Sequence, residues 1–202
     1  MNVPSEGNKN RIVTKSHPGL IIQAQRLRKG MMKILSKDRR VSTVLTGRRE
    51  EALNELQVGK SDDVFLSSDL SAASDRMSHE VSLALWFGLV RVLDEIDLET
   101  LSYCLGPQIL IYPEGTGITT RLSTNGILMG LPLTWVTLNL LHLFWIEESA
   151  LMSNLMVSRT LLNTRICGDD LVAHWPAKQV ENYETLVIQS NGAFSEGKHF
   201  KS

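Results

Sequence analysis

Apolar positions recur along this chain in two rhythms, one helical and one strand-like. Between residues 20 and 37, Ile21, Ile22, Leu27, Met31, Ile34 and Leu35 fall at helical spacing with basic residues between them, which predicts a helix. A short helix is expected over residues 49–57, ended by Gly59. Residues 63–69 read as a buried strand, with Val64, Phe65 and Leu66 preceding two serines and a carboxylate. A long helix follows over 74–93 and another over 98–105. Residues 108–112 and 118–122 flank Pro-Glu-Gly-Thr-Gly and read as a hairpin. An apolar helix runs to Glu148, and residues 161–173 form two short strands around Gly168-Asp169-Asp170. Residues 177–190 are helical, and 192–202 are a turn flanked by short strands. Residues 1–19 read as an extended basic loop. Strands and helices mix without a regular βαβ rhythm, so the fold class is α+β.

Composition narrows the picture. A chain of 202 residues, 43% hydrophobic and 21% charged, suits a soluble globular domain with one sizeable core and a small appendage. Cys104 and Cys167 show neither metal-ligand nor disulfide spacing, which fits a reducing, intracellular setting. Polar residues follow Met1, so no signal peptide is expected. The most apolar stretch, 131–146, is interrupted by Thr134, Thr137, Asn139 and His142 and is too short to span a bilayer. The net charge of -1 hides an asymmetry: residues 1–49 carry 12 Lys and Arg against 2 acidic residues, while the rest carries 9 against 20. A polyanion would meet the first part and cations the second, although a solvated basic helix gives the same count.

Five constellations carry candidate chemistry. Asp69-Leu-Ser-Ala-Ala-Ser-Asp75 puts one carboxylate at the end of an apolar strand and another, six positions on, in the first turn of a helix facing the same cleft. Hard divalent cations take such oxygen ligands; Ser and Asp before a helix also serve as N-caps. Gly168-Asp169-Asp170 lies between apolar strand segments, as a two-metal phosphoryl-transfer site or a plain Asp-rich turn would. In the third, Gly126 and Gly130 allow close backbone approach, and Pro132 opens a helix on which Thr134 and Asn139 are polar. A Gly-capped core helix is the bland account of that pattern. Lys9, Arg11 and Lys15 line an extended basic strand suited to a triphosphate or to solvent. Lys198, in Phe194-Ser-Glu-Gly-Lys-His, is either a general acid or a hairpin charge.

In this order the five resemble the motif succession of RNA virus polymerases: basic strand, D-x₅-D, Gly-rich loop entering a helix, GDD, late lysine. The resemblance is closest to the narnavirus, mitovirus and ourmia-like group, and within it to botourmiaviruses. It rests on Ser67-Ser-Asp-Leu-Ser-Ala-Ala-Ser-Asp75, on Gly126-Ile-Leu-Met-Gly-Leu-Pro-Leu-Thr-Trp135 with Leu138-Asn-Leu-Leu-His142, and on Cys167-Gly-Asp-Asp170. It implies an RNA-dependent RNA polymerase that binds an RNA template, a nascent RNA strand and NTPs. Two Mg²⁺ ions, with Mn²⁺ as the alternative, would be held by Asp69 and Asp169, with Asp170 beside them in a lesser role. Asp75 would read the ribose 2′-hydroxyl with Asn139 and Thr134. Gly126 to Gly130 would track template and nucleotide, Lys9 and Arg11 would hold the triphosphate, and Lys198 would protonate pyrophosphate.

The same resemblance implies a right-hand architecture, with residues 1–60 as partial fingers, 61–202 as the palm, and the remaining fingers and thumb missing. The implied location is the host cytoplasm, with the mitochondrion as the alternative. Many viral polymerases place Asn four residues after the loop threonine; here Thr134 and Asn139 are five apart. A reverse transcriptase and an inactive RNA-binding remnant are the rival readings. Asp75 and Asn139 argue against the first, and intact Asp69, Asp169 and Asp170 against the second.

Overall fold

The computed structural model describes residues 2–5, 9–47, 49–54, 56, 62–90 and 98–202. Two short antiparallel strands, β1 (Asn2–Ser5) and β2 (Lys9–Ile12), stand where an extended loop was expected. Helix α1 (Pro18–Leu35) follows, then α2 (Arg39–Leu45), which the apolar pattern did not announce, and α3 (Arg49–Asn54). The rest of the helix expected to Gln57, and Gly59, lie outside the described residues. Strand β3 (Asp63–Asp69) occupies its expected span.

The long helix expected from residue 74 is broken into α4 (Ala73–Arg76) and α5 (His79–Val90), with residues 91–93 outside the described set. The break has a physical cause. The carbonyls of Ser74 and Met77 accept from Ile127 and Gly126, and so serve a distant loop instead of the helix ladder. Ser78 then starts the new helix, its hydroxyl accepting from the Val81 amide.

Helix α6 (Leu98–Leu105) leads to a hairpin of β4 (Ile109–Leu110) and β5 (Arg121–Leu122). Helix α7 (Leu133–Met152) is buried nearly all round along its first four turns, which is why its sequence reads apolar without a stripe. A 3₁₀ turn (Val157–Arg159) and α8 (Thr160–Asn163) precede β6 (Thr164–Cys167), β7 (Asp170–Pro176), α9 (Ala177–Gln189) and β8 (Phe200–Lys201).

These elements divide into two units interleaved in sequence. The first comprises Met1–Arg28 and Ser74–Thr134, the second Lys29–Ala73 and Trp135–Ser202. Within the second, an antiparallel sheet runs in the order β6-β7-β3-β8. Helix α9 lies against β3 and β7, while α2 packs on β6. Leu66, Ala173, Trp175, Tyr183 and Val187 fill the space between sheet and helix, all 0% exposed. Each such aliphatic side chain contributes about 2 kcal/mol by leaving water. The Trp175 indole N–H is satisfied by Thr164 Oγ1 at 2.8 Å.

The second unit also buries an ionic cluster. Arg40, 4% exposed, donates to Asp38 at 2.6 Å, to Glu147 at 2.7 Å and to Thr160 at 3.0 Å. It thereby joins the start of α2 to α7 and α8. Among the described residues no helix is long and apolar enough to cross a membrane.

Candidate active site

The register of the second unit's sheet decides which carboxylates meet. Strands β3 and β7 are antiparallel, with Asp69 directly opposite Asp170 at one end of the ladder. Strand β6 pairs with β7 so that Cys167 also faces Asp170, which leaves Gly168 and Asp169 as a two-residue loop. Gly168 has φ +66° and no positive φ occurs at Asp169, the pattern of a type II′ hairpin, whose first loop position favours glycine. A Cβ at Gly168 would lie 2.9 Å from the Trp135 indole nitrogen, so space as well as backbone geometry demands glycine here.

Asp170 titrates above the ordinary carboxylate range. Burial of its carboxyl is the main cause, followed by the charges of Asp169 and Asp69 and a hydrogen bond with Asp69. Lys198 opposes the shift; its Nζ lies 3.3 Å from Asp69 Oδ2. A carboxyl group whose proton affinity is raised by neighbouring carboxylates belongs to a donor set that a divalent cation would satisfy by displacing the proton. Among the described residues no three His, Cys, Asp or Glu side chains form a ready-made ion cage. That is compatible with Mg²⁺, which keeps several waters and substrate phosphates in its shell.

A cavity of about 230 Å³ opens beside the hairpin, lined by Val44, Ala52, Leu53, Ile166 and Asp170 among others. It is smaller than the usual range of small-molecule pockets, so the carboxylate edge is the better candidate for the chemistry.

The first unit collects a different set of the sequence motifs. Gly126, at φ +86°, passes so close to Asp75 that a Cβ would lie 2.8 Å from the Asp75 carbonyl oxygen. The Gly126 amide donates to Met77 O at 2.8 Å, the Ile127 amide donates to Ser74 O at 2.9 Å, and His79 Nε2 donates to Gly126 O at 2.9 Å. At the loop's other end Gly130 has φ +118°, and a Cβ there would meet Thr14 O at 2.6 Å. Thr14 donates to Met129 O through both its amide (2.8 Å) and its hydroxyl (3.0 Å). The exposed Asp75, the Gly126–Gly130 loop and the segment just after β2, the strand that bears Lys9 and Arg11, therefore form one assembly. The Thr134 hydroxyl is spent inside it, 3.0 Å from both Leu128 O and Leu131 O.

Asn139 departs from expectation. It is 0% exposed, and its amide is engaged at both ends: Nδ2 donates to Trp135 O at 2.7 Å and Oδ1 accepts from the Gly168 amide at 3.1 Å. Its side chain thus ties the start of α7 to the hairpin turn within the second unit. The spacing supplies the reason: at about 100° per residue, five positions after Thr134 lie about 140° round the helix, whereas four would lie about 40° away. His142, Tyr183, Ser68 and His199, to which the sequence gave no role, also lie behind the carboxylates. Their signal was polar groups at otherwise apolar positions.

The second unit thus presents an antiparallel sheet backed by helices, with aspartates paired at the end of a β-hairpin. In sequence the chain is similar to two viral RNA-directed RNA polymerases. The chain is 36% identical to the RNA-directed RNA polymerase of Saccharomyces 20S RNA narnavirus over 208 residues, covering 99% of this chain and 24% of that protein. It is 32% identical to the corresponding protein of Saccharomyces 23S RNA narnavirus over 213 residues, covering 99% and 22%. The chain thus spans about a quarter of the length of these relatives. No family model matches it.

The crystal structure of the RNA-dependent RNA polymerase of a human picorbirnavirus shares its fold, with a TM-score of 0.72 at 18% identity over 98% of this chain and 38% of that one. Telomerase from Candida tropicalis is similar at a TM-score of 0.57 and 11% identity, over 90% and 33%. The same fold is thus found in proteins named for different activities.

Proposed function

We propose that these residues are the palm (61–202) and a strip of the fingers (1–60) of a viral RNA-dependent RNA polymerase, completed by the further fingers and thumb of a longer protein. The reaction is template-directed transfer of a nucleotide from an NTP to an RNA 3′-hydroxyl during replication of a positive-strand RNA virus genome. The observation that carries this reading is the antiparallel register that sets Asp69 against Asp170, next to the Asp169 turn and within reach of Lys198.

Asp69, Asp169 and Asp170 would hold two Mg²⁺ ions, or Mn²⁺. When bound, such a pair activates the attacking hydroxyl and neutralises charge on the leaving pyrophosphate. The remaining work belongs to the chain's own groups. Asp69 aligns the acceptor end, and Lys198, already at the site edge, donates a proton to the departing pyrophosphate. Lys9 and Arg11 grip the triphosphate through charge-assisted hydrogen bonds. Asp75 accepts from the ribose 2′-hydroxyl, and the loop from Gly126 to Gly130, shaped by Thr134, follows template and nucleotide. The basic segment 1–49 meets RNA phosphates, so binding weakens with salt. Replication takes place in the host cytoplasm, with the mitochondrion as the alternative.

Primer extension on a short RNA template with NTPs and Mg²⁺, comparing the parent polymerase with Asp169→Ala, tests the reading. Extension with NTPs alone, lost in the variant, is expected. Incorporation of dNTPs instead would make the enzyme a reverse transcriptase. No synthesis by a folded, full-length protein would leave an RNA-binding remnant.

A further inference from the structure

Each residue assigned to the carboxylate edge has a chain neighbour that points the other way, into the protein. Ser68 precedes Asp69 and is 3% exposed. Gly168 precedes Asp169, and His199 follows Lys198. In extended backbone successive side chains alternate between faces, so an outward Asp69 requires an inward Ser68.

Continuous hydrogen bonds join these three neighbours beneath the site. Helix α7 grips the Gly168 peptide from both sides. Its amide donates to Asn139 Oδ1 at 3.1 Å, and its carbonyl accepts from His142 Nδ1 at 2.7 Å. Asn139 and His142 are three residues apart and share a helix face. A carbonyl only accepts, so His142 carries its proton on Nδ1, and Nε2 is free to accept from the Tyr183 hydroxyl at 2.7 Å. The two rings are also stacked, with centroids 6.0 Å apart. Tyr183 is in turn hydrogen-bonded to Ser68. Ser68 Oγ lies 3.0 Å from His199 Nδ1, and His199 Nε2 donates to Glu184 Oε1 at 2.7 Å.

From this geometry we infer that Asn139, His142, Tyr183, Ser68 and His199 are positioning residues, which hold the segments bearing Asp169, Asp69 and Lys198 at fixed mutual distances; the inference rests on the polymerase reading above. A carboxylate pair binds cations productively only when its backbones are fixed, and partners of this kind orient ligands without touching the metal. The arrangement also accounts for a polar histidine, 0% exposed, on an otherwise apolar helix.

The test uses the full polymerase that carries this segment, with His142→Asn, His142→Gln and Tyr183→Phe. The Asn amide nitrogen stands near the ring Nδ1 position and keeps the bond to Gly168, whereas Gln reaches only the Nε2 position. Primer-extension kcat and NTP KM are measured alongside Mn²⁺ affinity by paramagnetic resonance and thermal unfolding. His142→Gln and Tyr183→Phe are expected to lose about 10–100-fold in kcat and in Mn²⁺ affinity, with KM nearly unchanged. His142→Asn, which keeps the Gly168 bond but not the Tyr183 bond, should fall between the parent and His142→Gln.

A purely structural role would instead make the smaller Asn at least as damaging as Gln, with activity tracking the unfolding temperature; that result overturns the inference. Tyr183→Phe keeps the ring and breaks the next bond of the network, so it tests the inference where His142→Gln does not fold. An active parent with indistinguishable variants overturns the inference alone. A parent that neither extends primers nor binds Mn²⁺ overturns the polymerase reading and the inference with it.

Discussion

Asp69 and Asp170 sit opposite each other in the antiparallel register of β3 and β7, hydrogen-bonded across the ladder. Beyond burial, the charge of Asp69 and its hydrogen bond help Asp170 hold its proton. Asp69→Asn should therefore lower the apparent pKa of Asp170 toward the ordinary carboxylate range while abolishing nucleotide transfer. Carbon-detected NMR titration of the Asp carboxyls reads the first effect, and primer extension the second.

Lys198 is 3.3 Å from Asp69, but its side chain is 60% exposed, so the ion pair contributes little to folding. Lys198→Ala should change unfolding stability by less than about 1 kcal/mol. Its rate should fall by about 10²–10⁴-fold if the lysine is the proton donor. A drop in NTP affinity with kcat intact would assign it to binding instead.

Gly126 combines a φ of +86° with a backbone passing 2.8 Å from where its Cβ would be. Gly126→Ala should destabilise the loop by about 1–3 kcal/mol and pull it from Ser74 and Met77. Hydrogen exchange at the Ile127 amide, expected to accelerate, checks this.

Arg40 holds Asp38 and Glu147 together at 4% exposure. Arg40→Met leaves two carboxylates without their cation and should cost about 3 kcal/mol in a denaturant melt, the lower end for a broken buried pair, because Glu147 can rehydrate.

Burial lowers the pKa of His142 from 6.5 to about 4, against the opposing bond to Gly168. A base depressed in the folded state contributes its full stability above its unfolded pKa. The unfolded chain takes up the proton first, so stability drains away between pH 6.5 and about 4, by about 3 kcal/mol for this group. The residue at Glu184 acts in the same direction lower down: burial raises its pKa, but the bonds from Lys201 and His199 outweigh that and hold it below 4.5. Urea melts across this range should show a shallower loss in His142→Asn, which has no ring to protonate.

Apolar patterning made much of the fold legible: helical spacing marked α6 and α9, a short bounded run marked β3 and a long apolar run marked α7. It failed at residues 77–78, where apolar positions continue at helical spacing but the Gly126 loop has claimed the carbonyls. Such a break is set by residues about fifty positions away and cannot be read locally. At the site, Asp69, Asp169 and Asp170 were legible as carboxylates ending apolar strands, yet which two face each other depends on register. Asn139 has a residue type that suits a ribose, while the helical phase that buries it could be read only with the fold in hand. His142 stood in plain view within the motif string, but its value lies in Gly168 and Tyr183, which only the folded chain brings to it.

The bond from Thr14 to Met129 spans 115 positions. On the ribosome, the hairpin bearing Lys9 and Arg11 emerges long before the segment that anchors it exists. With the chain passing between the two units at residues 28, 73 and 134, neither can close until most of it has been made. No single cut in the gene would therefore part the two units into two whole fragments, and the nascent chain must wait with its basic end unanchored.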